Sequence, residues 1–113
     1  MNDLWVYDLR GQTWRQVISS GDVPEPRSNA TLNYDIINHQ LILFGGGGPN
    51  KQRFNSICIL DLNSLQWMEF PPFENEPSPW ERTYHTAEFK FPYLVVFGGE
   101  GVDDLGDLWV YNM

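Results

Sequence analysis

Few side chains in this 113-residue chain could do chemistry, and their spacing rules most of it out. There are two histidines, His39 and His85, and one cysteine, Cys58. None of the three has a second His or Cys at ligand spacing, so no metal site is expected. A copper-radical centre needs a Tyr–Cys cross-link and paired histidines, which Cys58 and two scattered histidines do not assemble. The adjacent carboxylates Asp103-Asp104 fall in a polar loop; wet carboxylates keep ordinary acidity and make poor general acids. Gly45-Gly46-Gly47-Gly48-Pro49-Asn50-Lys51 has the look of a phosphate loop. It lacks the Gly-Lys-Ser/Thr ending, and no helix pattern follows. No serine nucleophile elbow is present. Asn29-Ala30-Thr31 is a formal glycosylation sequon, but it falls where an inner strand is expected and a glycan has no room. No catalytic residue, metal or cofactor is therefore expected, and the weight falls on binding surfaces.

Composition narrows what those surfaces meet. A net charge of −8 argues against nucleic acid, whose counterions are displaced by Lys and Arg, and against anionic membranes. A basic protein partner is compatible with it. The longest apolar run, near Leu94–Phe97, is far too short to cross a bilayer. Met1-Asn2-Asp3 has neither the basic region nor the apolar core of a secretory signal. A single cysteine inside an apolar stretch allows no internal disulfide, and a cytoplasmic, reducing setting is expected.

The elements that position these residues repeat. Asp3-Leu4-Trp5-Val6-Tyr7-Asp8 returns as Asp107-Leu108-Trp109-Val110-Tyr111-Asn112, with a weaker copy at Ser56-Ile57-Cys58-Ile59-Leu60-Asp61. Trp14 returns as Trp67, and Leu41-Ile42-Leu43-Phe44-Gly45-Gly46 as Leu94-Val95-Val96-Phe97-Gly98-Gly99. Pro26-Arg27-Ser28 returns loosely as Glu81-Arg82-Thr83. A period of roughly 50 residues marks a repeat architecture. Within one period four short β-rich segments are visible: 28–34, 40–44, 56–61 and 66–70, here a, b, c and d. Strands b and c are apolar at successive positions, which implies burial on both faces. Strand d alternates, as an outer strand should. Four-stranded antiparallel units of this kind suit a β-propeller.

The unit resembles a kelch repeat. Arg27 or Arg82 opens strand a, a Gly doublet (Gly45-Gly46, Gly98-Gly99) closes strand b, and a tryptophan (Trp14, Trp67) stands near the start of strand d. Ala30 where the second copy has His85, and Leu60 where Tyr7 and Tyr111 stand, depart from the pattern. The resemblance implies an all-β fold of kelch-type blades in an incomplete ring of about two blades. Residues 1–18 would supply outer strands c–d of a first blade, 27–70 a complete blade, and 82–113 strands a–b–c of a further one. It also implies that the indoles pack neighbouring blades together, filling space left by the glycines. Arg27 and Arg82 are expected to tie strands through buried hydrogen bonds.

Propellers close with four to eight blades, so a two-blade wedge leaves broad apolar faces bare. The chain is expected to join further kelch blades in a longer propeller. The alternative is self-association, three copies giving a six-bladed ring.

In an antiparallel blade the b–c and d–a connections leave on one face, and here those are the long ones. Long loops gathered on a rigid scaffold are where binding resides. They carry Asp22, Glu25, Glu74, Glu76, Glu100, Asp103 and Asp104 against Lys51 and Arg53, with Phe54, Phe73 and Trp80 as candidate anchors. The expected function is a protein-interaction module or scaffold offering a loop-rich acidic face to a protein or peptide. The alternatives are a small-molecule oxidase or lyase with a site at the propeller axis, and a purely structural component of a larger assembly.

Overall fold

The structure, a computed structural model, describes residues 1–113. Ten strands and no helix are formed: β1 (Leu4–Asp8), β2 (Thr13–Val17), β3 (Ser20–Gly21), β4 (Thr31–Asp35), β5 (Gln40–Phe44), β6 (Ile57–Asp61), β7 (Gln66–Phe70), β8 (Thr86–Lys90), β9 (Tyr93–Glu100) and β10 (Asp104–Asn112). The central sheet runs β3-β7-β6-β5-β4, flanked by the hairpin β1-β2 and by the three-stranded β10-β9-β8. All pairings are antiparallel except β3 on β7. A two-stranded hairpin, a five-stranded sheet and a three-stranded sheet, following one another along the chain, are consistent with part of a β-propeller.

Three hairpins are closed by the same local chemistry. Asp8, Asp35 and Asp61 each accept two backbone N–H bonds from residues two and three positions on, an Asx turn. Each loop then re-enters its strand through a left-handed residue, Gln12, His39 or Leu65. His39 is thus an exposed turn residue whose ring meets the Tyr34 hydroxyl at 3.0 Å.

Strand β5 shows why the apolar runs are continuous. Its Leu41 and Leu43 face a cluster of Cys58, Leu60 and Trp67, reached by Leu4 of the first hairpin. Its Ile42 and Phe44 face the opposite way, against Leu94 and Val96 of β9. One strand therefore contributes to both inter-sheet layers. Near the axis the inner strands are joined by Asn33, which donates to the Ala87 carbonyl and accepts from the Phe89 N–H.

Strand a starts later than its sequence suggests. Ser28 pairs with Gly47 of the b–c loop and Thr83 with Glu100, while Asn29 and Tyr84 take left-handed conformations that break the strand. Asn29 consequently lies exposed ahead of β4 and not within it.

Three of the four doublet glycines, Gly45, Gly46 and Gly99, make room for the head of strand a and not for the indoles. A Cβ on Gly45 would stand 2.5 Å from His85 Cε1, and one on Gly99 2.7 Å from the His85 backbone nitrogen. Gly46 likewise has φ +99° and would meet Ala30 Cβ at 2.8 Å. Trp67 instead packs under the linker before β4: its indole donates to Ser19 Oγ, and Gly21 lies against its backbone. Trp14 departs further from expectation. It is 65% exposed, touching only the ring of Tyr7 at 5.0 Å among aromatic neighbours, because no strands a and b flank its hairpin.

Candidate functional site

Two arginines anchor the loop face from beneath. Arg82 is fully buried; its guanidinium donates to the carbonyls of Trp80 and Gly98 and grips Asp107 with two bonds of 2.7 and 2.9 Å. Asp107 also accepts from Trp109 Nε1 at 2.6 Å. These bonds, Arg82 foremost, hold the Asp107 carboxyl far below the usual carboxylate range. Arg27 repeats the backbone half of this pattern, donating to the carbonyls of Glu25 and Gly45. Ser56 stands where Asp107 would be, so Arg27 is only half-buried and stacks over the Phe54 ring at 3.8 Å. The expectation of buried bonds fits Arg82 fully and Arg27 in part.

Above these anchors the b–c loop of the central sheet reaches the next blade. Gly46 and Phe54 bridge to Arg82, and Arg53 forms a 2.9 Å ion pair with Glu100. Glu25 accepts weakly from Gln52. Arg53, Glu100 and Lys51 line a recess of about 300 Å³ shared with Asn29, Thr83 and Tyr84. This joins Glu25, Lys51, Arg53, Phe54 and Glu100 into one neighbourhood.

The other candidate residues sit apart. Phe73, Glu74 and Glu76 lie on the linker between β7 and β8, on the wall of a larger cavity of about 930 Å³. Trp80 is 72% exposed on the same linker. Asp22 lies against β7, accepting from the Glu69 N–H. Asp103 lies in the β9–β10 turn and Asp104 opens β10, both exposed. Sequence reasoning missed Asn29, Thr83 and Tyr84, whose only signal is their place directly after the two repeated arginines.

Neither histidine joins a ligand set, and no three His, Cys, Asp or Glu side chains converge. His85 is buried against Phe44, with Nε2 3.0 Å from Thr31 Oγ1 and Nδ1 without a partner. Burial first, and then the Arg82 charge, lower its pKa and keep it neutral at pH 7. Burial likewise raises the Cys58 thiol, which makes it inert. No helix is long and apolar enough to cross a membrane.

The whole chain, residues 1–113, matches the KLHDC2/KLHL20/DRC7 Kelch-repeats domain. It is 34% identical over 101 residues to dynein regulatory complex subunit 7 of Chlamydomonas reinhardtii, covering 89% of this chain and 8% of that protein. It is 30% identical to kelch domain-containing protein 1 of Mus musculus, over 99% of this chain and 28% of that one. It is 31% identical to an N-(sulfonatooxy)prop-2-enimidothioate sulfolyase of Thlaspi arvense, over 87% of this chain and 28% of the enzyme. The chain thus spans less than a third of each of these relatives. Kelch-repeat domains are generally protein-interaction modules and typically non-enzymatic. The repeated arginines under glycine-bounded loops, the successive antiparallel sheets and the match along its full length place this chain in the kelch-repeat family.

Proposed function

We propose that this chain is a protein-binding kelch segment whose long-loop face, rich in carboxylates, receives a protein or peptide with basic character. The observation that carries this reading is the neighbourhood around Arg53 and Glu100, where three loops are cross-braced over the buried Arg82. A braced loop surface loses little entropy on binding. Glu74, Glu76, Asp103 and Asp104 are exposed and form no ion pair within 4.0 Å, so their charge is available to a partner. Trp80 and Phe73 are exposed aromatics on the same linker and act as anchors. The bare sheet faces are covered by further kelch blades.

Capture from a lysate tests this. Wild-type protein is compared with Glu74→Lys/Glu76→Lys and with Glu100→Lys/Asp103→Lys. Loss of the same retained proteins in at least one pair supports the acidic face; identical capture by all three refutes it. A catalytic reading has one observation behind it, the sulfolyase relative. It requires saturable turnover of an N-(sulfonatooxy)imidothioate by the purified chain.

A further inference from the structure

One buried histidine sits across the seam between the central sheet and the β8-β9-β10 sheet. His85 stands at the head of β8, yet its ring reaches the end of β5 in the other sheet. It packs edge-on against Phe44, with ring centroids 5.2 Å apart, and covers Gly45. A Cβ at residue 45 would meet its Cε1 at 2.5 Å and its Nδ1 at 3.2 Å, so the hollow exists because that residue is glycine. From β4, Thr31 Oγ1 meets its Nε2 at 3.0 Å.

The two ends of this seam are held differently. Toward the short turns, Asn33 bonds to the backbone of both Ala87 and Phe89. Toward the long loops, the Gly46 N–H donates to the Arg82 carbonyl and the Arg82 N–H to the Phe54 carbonyl. Tyr84 N–H donates to the Asn29 carbonyl at a longer 3.3 Å, and the Arg53–Glu100 pair lies outermost. Both buried side-chain polar atoms that lack a partner, Thr83 Oγ1 and His85 Nδ1, fall at this loop end. Unsatisfied buried groups mark it as the weaker end. Nothing here welcomes a proton on His85. β4 offers the Thr31 hydroxyl, β5 and its loop offer Phe44 and Gly45, and the charged neighbour is Arg82, of the same sign.

We propose that His85 is a proton-operated staple: neutral, it holds the loop end of the seam closed; protonated, it leaves the Gly45 hollow and releases that end while the Asn33 end stays joined. Release separates Arg53 from Glu100, so the loop neighbourhood has a closed form near neutral pH and an open one in mild acid. At the corresponding place one repeat earlier, Ala30 packs on Gly46 and has nothing to titrate. In the closed seam, burial and then Arg82 hold the imidazole below its ordinary 6.5, and solvent restores that value in the open one. Opening therefore takes up one proton. Its equilibrium constant rises about tenfold per pH unit as pH falls below 6.5, until the lowered value is reached. The ordinary carboxylate range lies lower, so Asp and Glu contribute little to this window.

Amide hydrogen exchange, resolved by residue in NMR spectra from about pH 7.5 to about pH 5, reads this on the 113-residue protein. Rates are expressed as protection factors, which removes the intrinsic pH dependence of exchange. The Gly46, Arg82 and Tyr84 amides, which donate across the loop end, should lose up to about tenfold protection per pH unit below 6.5. The Phe89 amide, bonded to Asn33, should keep its protection over the same range. In His85→Gln the first three amides should show no such dependence; His39, in a turn of the opposite face, is unchanged in that variant. Constant protection at Gly46, Arg82 and Tyr84 in the wild-type protein overturns the inference, whether or not the variant folds. So does a parallel loss at Phe89, which is unfolding of the whole seam, or the same pH dependence in His85→Gln. No partner is needed, so failure here leaves the binding face untouched.

Discussion

Removing the Asp107 carboxylate should destabilise the fold out of proportion to its partial exposure. In Asp107→Ala the group lost is 40% exposed, but the guanidinium left behind is fully buried. Arg82 would keep its bonds to the Trp80 and Gly98 carbonyls and lose both charge-assisted ones. Trp109 Nε1 loses its acceptor as well. Breaking a buried pair from one side costs roughly 3–5 kcal/mol, and water reaching the vacated site puts this case near 3 kcal/mol. For a domain of this size that lowers Tm on the order of 10 °C. The repeat supplies an internal control. Arg27 has no carboxylate and stacks on Phe54, so Arg27→Ala removes two hydrogen bonds and a cation–π contact. That costs about 1–2 kcal/mol. Urea denaturation followed by tryptophan fluorescence gives both values. If Asp107→Ala lies within about 0.5 kcal/mol of wild type, or below Arg27→Ala, the assignment of Arg82–Asp107 as the structural anchor fails.

Other consequences follow from the same contacts. Gly45→Ala combines φ +67° with a Cβ 2.5 Å from His85, and should cost about 2 kcal/mol or more, whereas Gly106→Ala, with nothing within 4 Å, should be close to neutral by the same denaturation assay. The lowered pKa of His85 means the unfolded chain binds its proton first, so stability present above pH 6.5 should decline as pH falls below it, and His85→Gln should flatten that part of the profile. A second decline belongs to Asp107 and Asp35, whose lowered values make the unfolded chain the proton acceptor once pH drops below about 3.8. Arg53→Ala breaks only a partly exposed ion pair and should change stability by less than about 1 kcal/mol.

Much of the architecture was legible because it is written twice. The glycine doublets, the repeated hexapeptide and the alternating strand d gave β5, β6 and β7 nearly to the residue. What failed has local causes. Ser28 and Asn29 read as strand because the asparagine, a residue that enters the left-handed region more readily than most, was not weighed as a strand breaker, and Tyr84 in the second copy gives no such sign. Trp14 was expected to pack like Trp67, but an indole's burial depends on the strands beside it, and its hairpin stands alone. The doublets were assigned to the indoles because both recur; only coordinates reveal that His85 and Ala30 occupy that space. Asp107 was unreadable as a partner of Arg82, since 25 residues separate them and the equivalent pair is absent one repeat earlier. The loop residues were identifiable as long-loop carboxylates and aromatics, but not their division between the Arg53–Glu100 neighbourhood and the β7–β8 linker.

The most direct examination of the proposed binding face is positional cross-linking to a captured partner. A photoreactive phenylalanine analogue is placed singly at Lys51 and Asp103 on the long-loop face, and at Ile37 and Asn63 in the short turns of the opposite face. All four positions are exposed, so reactivity reports contact and not access. Adducts from Lys51 and Asp103 with none from Ile37 and Asn63 are expected; adducts confined to the short turns, or equal from both faces, contradict the account.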